Sequence, residues 1–267
     1  MVRGRRMESA VKREERRQEI INLLVESRAV ELDDIAARFG VSKMTIHRDL
    51  DDLEKAGVLR KVRGGATIDA GTQFESDFRF RERQEADVKR ALAETAAALV
   101  EPGMTVMIND GSMAAMLGDV LAETRKPITL VTNNAAIMER AKGLSGVTLI
   151  TLGGVYSVRF NAYFGIVTEE ALARLRADIA FISAPAATGR LAYHMDEAVV
   201  RSKRAMMRAS SQTCLLINNR RFGHTALHVL ADLSEFDTVI SDKPLPHDTA
   251  AELGDRTVVR IAKETTT

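Results

Sequence analysis

Hydrophobic residues recur at helical spacing three times within the first 56 residues of the chain. The helices that this periodicity predicts are residues 13–27, 31–39 and 42–56. Gly40 and Val41 form a tight turn between the second and third helices, and Ser42 is a typical N-cap residue. Two short strand-like segments, 58–61 and 66–68, flank a glycine pair and predict a small hairpin. The pattern is that of a winged helix-turn-helix domain at residues 13–68.

A polar stretch with turn-forming residues, 69–84, predicts a linker. Beyond it, strand-like and helix-like segments alternate to residue 261. The predicted strands are 104–108, 128–132, 147–152, 179–183, 213–217, 239–241 and 257–261, and the predicted helices are 86–100, 112–123, 135–142, 168–176 and 196–209. This alternation is typical of a mostly parallel sheet covered by helices on both faces. The sequence therefore predicts a larger α/β domain at residues 85–267.

The composition is that of an ordinary soluble protein, with 45% hydrophobic and 28% charged residues in a chain of 267. No apolar run approaches the roughly 18 residues that would span a membrane, and the first seventeen residues lack the apolar core of a secretory signal. The single cysteine, Cys214, cannot form an internal disulfide. We therefore expect a cytoplasmic protein with no membrane partner.

The net charge of +1 hides an uneven distribution. Residues 1–17 contain seven basic and three acidic side chains, and a second basic group precedes Gly64. Basic clusters are commonly solvated surface, but here they flank a predicted helix-turn-helix. This position favours contact with nucleic acid.

In such a unit the N-terminal end of the third helix enters the major groove. With Ile46, Leu50 and Leu53 facing the core, the hydroxyls of Ser42 and Thr45 are candidates for phosphate contacts. The candidates for reading base edges are Lys43, His47 and Arg48. The wing would contribute Arg60, Lys61 and Arg63. DNA would repel the acidic residues of this helix, so we expect Asp49, Asp51 and Asp52 to face away or to pair with basic neighbours. A three-helix bundle without a DNA-binding role would share the same periodicity.

The residues themselves are more specific. Residues 32–50 read L-x-x-I-A-x-x-F-G-V-S-x-x-T-I-H-R-D-L, and residues 60–66 read R-K-V-R-G-G-A. This sequence closely resembles the DeoR family of bacterial repressors, in which the corresponding segments read V-S-x-x-T-I-R-R-D-L and R-V-H-G-G-A. The resemblance implies binding to double-stranded operator DNA. One recognition helix reads only a few base pairs, so we expect a homo-oligomer that binds repeated half-sites. His47 and Arg63 depart from the family pattern, so an operator sequence cannot be carried over.

The resemblance extends through the rest of the chain, where the family has a sensor domain similar to ribose-5-phosphate-type isomerases. Residues 109–113, N-D-G-S-M, stand in place of D-S-G-T-T, residues 132–134 in place of T-N-S, and residues 218–223 in place of D-x-S-K-F-G. The resemblance implies that a phosphorylated sugar or related metabolite controls DNA binding. The candidate effector-binding residues are Asn109, Asp110, Gly111, Ser112, Asn133, Gly153, Gly154, Lys203 and Arg221. The changed residues predict a changed pocket and with it a changed effector.

Elementary chemistry supports the same places. Gly111 and Ser112 open a predicted helix and offer free N–H groups to an anion. Asn109, Asp110 and Asn133 could bond sugar hydroxyls, while a lysine or arginine could neutralise phosphate. The asparagines and the Gly153-Gly154 pair could equally serve only to shape turns.

Two alternatives to a ligand-controlled repressor remain at this point. An isomerase-like enzyme would need a carboxylate base and a fixed cation, for which Asp110 and Lys203 are the only pair that the sequence offers. An activator or a ligand-blind DNA-binding protein would have the same sequence pattern as a repressor. We predict no enzymatic activity, no cofactor and no metal, because His224 and His228 lack a third ligand.

Overall fold

A computed structural model describes residues 13, 16–17, 19–21, 23–24, 27, 29–55, 59–67, 78–253 and 257–262. The chain divides into two compact units, Met1–Gln84 and Glu85–Thr267. The described part of the predicted linker 69–84 contains helix α3 of the first unit, and residues 69–77 lie outside the described part.

The first unit is a small helical domain with a three-stranded antiparallel sheet. The described residues between 13 and 27 are helical. The other elements are β1 (Ala29–Glu31), α1 (Leu32–Phe39), α2 (Lys43–Lys55), β2 (Arg60–Val62), β3 (Gly65–Thr67) and α3 (Phe78–Arg83). The apolar stripes of the helices meet in one core. The helical side chains in it that are at most 1% exposed are Ile20, Leu24, Ile35, Ile46 and Leu50.

The predicted hairpin is present as β2 and β3, and strand β1 extends it to the order β1-β3-β2. The sequence pattern placed Glu31 in a helix, which is wrong: Glu31 ends β1 and pairs with Gly65. The strands approach closely at Gly65, where a Cβ atom would lie 2.0 Å from the Val30 carbonyl oxygen. Glycine is therefore what allows β1 to join the sheet.

The second unit is built on a seven-stranded sheet. The strands of this unit, including those outside the large sheet, are β4 (Thr105–Ile108), β5 (Ile128–Thr132), β6 (Val147–Thr151), β7 (Val155–Ser157), β8 (Ala162–Phe164), β9 (Ala177–Ser183), β10 (Ala186–Thr188), β11 (Leu191–His194), β12 (Ser210–Leu216), β13 (His228–Asp232), β14 (Thr238–Ser241) and β15 (Val258–Ile261). Its helices are α4 (Ala86–Ala97), α5 (Ser112–Thr124), α6 (Ala135–Ala141), α7 (Ile166–Ala173), α8 (Glu197–Arg208) and α9 (His247–Glu252).

All seven strands of the large sheet are parallel, in the order β15-β14-β12-β9-β4-β5-β6. The α/β prediction is thus confirmed. The chain builds β4, β5 and β6 outward in one direction and then returns to place β9 on the other side of β4. Such a reversal of strand order leaves a crevice at the carboxyl ends of the two central strands.

Several short antiparallel strands were not predicted. β7 and β8 form a hairpin, and β10, β11 and β13 form a second small sheet. Most of these strands have three or four residues, too few for an alternating pattern to stand out. The hairpin is held by its own apolar cluster, in which Phe160 and Phe164 pack with Val199 of α8.

Helix α2 is tied to the N-terminal helical residues by a buried carboxylate. Asp49 is 1% exposed, and its carboxylate lies 2.6 Å from Nε of Arg16 and 3.4 Å from Nε of both Arg13 and Arg17. Asp52, three residues further along α2 and on the same side of the helix, pairs with Arg13 and Arg17 but is 37% exposed. The buried carboxylate therefore carries more of the link than its exposed neighbour.

Replacing Asp49 tests this difference. Asp49→Ala should lower the free energy of unfolding by about 2–4 kcal/mol, because it leaves partly buried guanidinium groups without their counter-charge. Asp52→Ala is the matched control and should cost less than about 1 kcal/mol. Urea unfolding of the full-length variants, followed by circular dichroism, measures both values, and equal losses would contradict this account.

Two adjacent glycines permit a second comparison. Gly154 has a φ of +143°, and a Cβ atom there would lie 2.5 Å from the Phe164 carbonyl oxygen and 2.5 Å from Thr168 Oγ1. A Cβ atom on Gly153 would meet nothing within 4 Å. We expect Gly154→Ala to destabilise the protein by about 2–5 kcal/mol through backbone strain and overpacking. Gly153→Ala should change stability by less than about 1 kcal/mol. Thermal unfolding of both variants tests this order, and a reversal would show that the close approach is not rigid.

Candidate DNA-binding face and effector site

The turn before helix α2 is defined by a glycine and a serine. Gly40 adopts the left-handed conformation, with a φ of 61°, and ends α1. Ser42 Oγ accepts the backbone N–H of Thr45 at 3.2 Å and lies 2.9 Å from Thr45 Oγ1. Both hydroxyls thus serve the start of the helix, while Ser42 remains exposed. A phosphate that binds this helix end would find the backbone N–H of Thr45 already bonded to the Ser42 side chain.

The three base-reading candidates share the exposed side of α2. Lys43, His47 and Arg48 are all exposed. Lys43 Nζ lies 2.7 Å from a carboxylate oxygen of Asp33, in a pair whose two side chains are 62% and 70% exposed. An ion pair this exposed contributes little to stability, so Lys43 can exchange it for a contact with a phosphate or a base.

The predicted wing side chains differ in their surroundings. Arg60 and Arg63 are exposed, whereas Lys61 pairs with Asp51 of α2 through Nζ and Oδ1, 2.5 Å apart. Its backbone N–H also donates to Glu54 Oε1 at 2.7 Å. The hydrogen bond from Lys61 lowers the pKa of Asp51 below its ordinary value, so this carboxylate stays charged at neutral pH. Lys61 therefore joins the wing to α2 in the protein without DNA.

The three aspartates of α2 all have basic partners. Asp49 and Asp52 contact arginines, and Asp51 contacts Lys61. Those arginines belong to the basic N-terminal cluster, whose other basic members lie outside the described residues. Part of the positive charge that was predicted from the sequence to contact DNA is thus neutralised within the domain.

The first effector candidates lie where β4 and β9 end side by side. Asn109 Oδ1 accepts the backbone N–H of Ser183 at 3.1 Å, and Asn109 Nδ2 lies 3.4 Å from Ser183 Oγ. Lys203 Nζ donates to the Ser183 carbonyl oxygen at 2.8 Å and lies 3.7 Å from Asp110 Oδ1. Asn109, Asp110 and Lys203 are at most 2% exposed. Four polar groups from two strand ends and one helix therefore meet in a buried cluster.

Ser183 was not among the predicted site residues. It is a polar residue at the end of a predicted strand, and that same signal had singled out Asn109. Polarity at the end of a predicted strand would therefore have predicted Ser183 as a site residue too.

Asn133 and Asn134 follow β5, and their side chains have different hydrogen-bond partners. Asn134 Oδ1 caps α6 by accepting from Ala136 and Ile137, and its Nδ2 donates to the Gly111 carbonyl oxygen at 3.1 Å. Asn133 Nδ2 donates to the Tyr163 carbonyl oxygen at 2.9 Å, but Asn133 Oδ1 is buried with no hydrogen-bond partner. A buried acceptor left unsatisfied is costly unless something else donates to it.

The glycine and helix-end candidates complete the sheet edge. Gly111 has a φ of 102° and precedes helix α5, whose first residue, Ser112, is 7% exposed. Gly153 follows β6, and its carbonyl oxygen accepts from Thr168 Oγ1 at 2.6 Å. Gly154 is needed for the close approach to the hairpin described above. The N-terminus of α5 thus lies beside the buried asparagines.

Arg221 lies in a short 3₁₀ turn, Asn219–Arg221, after β12. Because β12 is the neighbour of β9, this turn lies on the same edge of the sheet. The side chain is half-buried. The described contacts bring Asn109, Asp110 and Lys203 together directly, and Arg221 lies on the same edge of the sheet.

The geometry also bears on the enzyme alternative. Lys203 and Asp110 face each other, and Lys203 donates to a backbone oxygen. Each charge therefore compensates the other. Mutual charge compensation accounts for this buried pair, so the pair gives no support to the enzyme alternative.

Within the described ranges, no group of three or more histidine, cysteine, aspartate or glutamate side chains could hold a metal ion. In the same part of the chain, no helix is both long and apolar enough to cross a membrane.

Comparison with known proteins agrees with this architecture. Residues 16–72 match the DeoR-like helix-turn-helix domain, and residues 84–243 match the DeoR C-terminal sensor domain. The L-fucose operon activator of Haemophilus influenzae is 31% identical over 215 residues, 80% of this chain and 85% of that protein. The glycerol-3-phosphate regulon repressor of Escherichia coli is 25% identical over 238 residues, 88% of this chain and 93% of that protein.

Among solved structures, ribose 5-phosphate isomerase A from Methanocaldococcus jannaschii covers 51% of this chain and 54% of its own, at 17% identity. The TM-score is 0.38, too low to support an argument about function. The two domain matches follow one another along the chain and together include helix α2 and six of the seven strands of the large sheet. The chain therefore belongs to the DeoR family and is a DNA-binding transcriptional regulator, not an enzyme.

Proposed function

We propose that this protein is a cytoplasmic repressor of carbohydrate-metabolism genes, and that a phosphorylated sugar or related metabolite bound to the second unit changes its affinity for operator DNA. The names of the two relatives favour carbohydrate-linked operons. One is named an activator and the other a repressor, so the direction of control rests on experiment.

The observation that carries the effector proposal is the unsatisfied oxygen of Asn133. Asn133 is 0% exposed, and its Oδ1 atom has no partner although Nδ2 is bonded. A sugar hydroxyl is a donor of the right kind for this oxygen. The atom lies on the edge of the sheet where open α/β folds bind their ligands.

The charged part of the effector would meet the N-terminus of α5. The free N–H groups after Gly111 and the helix dipole favour an anion there. Asp110 would oppose an anion, and Lys203 offsets that charge at 3.7 Å. The same cluster contacts both β4 and β9, so an effector that moved Lys203 would act on both strand ends.

The DNA-binding proposal uses the exposed residues of α2 and the wing. Lys43, His47 and Arg48 would face base edges, Ser42 and Thr45 a phosphate, and the wing arginines the adjacent backbone. Lys61 would contact DNA only after exchanging its partner Asp51. One recognition helix reads only a few base pairs, so we further propose a homo-oligomer that binds two half-sites about one helical turn apart.

Fluorescence anisotropy of the full-length protein on DNA upstream of its own gene tests both parts. At fixed moderate salt we expect specific binding that exceeds binding to scrambled DNA by at least about 1,000-fold. A sugar phosphate from a panel should change this affinity at least about fivefold, while the matching unphosphorylated sugar should act more weakly. A reporter gene fused to the operator then distinguishes repression from activation.

Equal binding to operator and scrambled DNA, both there and for duplexes selected from a random pool, would overturn the DNA-binding part. Specific binding that no phosphorylated or free sugar alters would instead overturn the effector part.

Asn133→Ala should remove the response to the effector while leaving operator affinity in its absence within about threefold. We expect a stability loss of about 1 kcal/mol, because the hydrogen bond to the Tyr163 carbonyl oxygen is lost. Thr257→Val is a matched control: Thr257 Oγ1 also donates to a carbonyl oxygen, that of Phe236, at 2.9 Å. Thr257 precedes β15 and so lies at the opposite end of the sheet. If both variants lost the response equally, destabilisation rather than ligand contact would be the cause.

A further inference from the structure

The exposed face of helix α2 contains an apolar side chain, Met44, among the residues proposed to contact DNA. Met44, in the first turn, is 61% exposed. It lies between Lys43 and Thr45, two of the proposed DNA contacts. Its neighbour Ile46 is fully buried in the core of the domain.

Helical geometry places Met44 near the centre of the exposed face. Residues spaced by three or four positions share one side of a helix, so Met44, Arg48, Asp51 and Lys55 follow one line along α2. This line lies opposite the buried residues Ile46 and Leu50. Met44 therefore points in the same general direction as Arg48, the best candidate for reading guanine.

The charges of α2 confine base contact to its first half. Asp51 is charged at neutral pH and bound to Lys61, and Asp52 is bound to arginines. Carboxylates there would be repelled by phosphate if that half of the helix lay deep in the groove. The first half of the helix, with Met44, His47 and Arg48, is the part that can approach base edges.

The major groove offers one apolar group to such a side chain, the 5-methyl group of thymine. Methionine is flexible and polarisable, so it can pack against a methyl group without a demanding geometry. We propose that Met44 contacts a thymine methyl in each operator half-site and so sets the preference for thymine at that position. This inference rests on the proposed reading of DNA by α2.

The spacing of the two side chains adds a constraint on the operator. Residues four apart on a helix have Cβ atoms about 5–6 Å apart, and successive bases on one strand rise by about 3.4 Å. The thymine contacted by Met44 should therefore lie within about two base pairs of the guanine contacted by Arg48.

The test removes the methyl group from the DNA and the thioether from the protein. Duplexes selected from a random pool by the full-length protein identify the preferred thymines, and each is then replaced by uracil, which lacks only the 5-methyl group. At one position in each half-site, uracil should weaken binding by wild-type protein about fourfold, the factor for one buried methyl group. Met44→Ala should bind the thymine and uracil duplexes equally.

Two further variants complete the test. Met44→Leu should keep most of the thymine preference, because it retains an apolar side chain of similar size. Val62→Ala is the matched control: Val62 is an exposed apolar residue of the wing, 43% exposed, and its loss should leave the uracil effect of the wild-type protein unchanged.

Each outcome separates this inference from the proposed function. If wild-type protein selects a specific sequence but tolerates uracil at every position, the Met44 contact is wrong while DNA binding stands. The same conclusion follows if Met44→Ala still distinguishes uracil from thymine. If no sequence is selected at all, the proposed reading of DNA by α2 fails with it.

Discussion

The sensor unit depends on the parallel pairing of β4 with β9. This pairing brings together two strands that are about seventy residues apart in the chain, and it places their carboxyl ends side by side. Asn109 and Lys203 then bond to Ser183 across the junction. The contacts that hold the two central strand ends together therefore lie at the edge of the sheet where we propose that the effector binds.

The DNA-binding unit is constrained by charge. Helix α2 carries three aspartates on a domain that must approach phosphates, and each has a basic partner within the domain. Asp49 is the most buried of them and links α2 to the N-terminal helical residues. Neutralising these aspartates also uses several of the basic residues, which leaves the first half of α2 and the exposed wing arginines as the face that we propose for DNA.

Adjacent residues of one type show why the candidate site could be predicted only in part. Asn133 and Asn134 both follow β5. Only Asn133 was predicted to contact a ligand, and either asparagine could equally have served only to shape a turn. In the structure Asn134 bonds to three backbone groups, whereas Asn133 keeps an unsatisfied oxygen. Gly153 and Gly154 differ in the same way, because only Gly154 closely approaches another segment. Such differences depend on neighbours far away in the chain.

The sequence by itself determined the helix-turn-helix, its hairpin and the parallel α/β character of the second unit, because periodicity and turn chemistry are local properties of the chain. It also located most of the polar residues at strand ends, since a strand and the loop after it are contiguous. Only the tertiary structure decided the strand order, the addition of β1, the hairpin over residues 155–164 and the partners of each charged group. These features depend on contacts between segments that are distant in the chain, and such contacts form only when the whole domain packs.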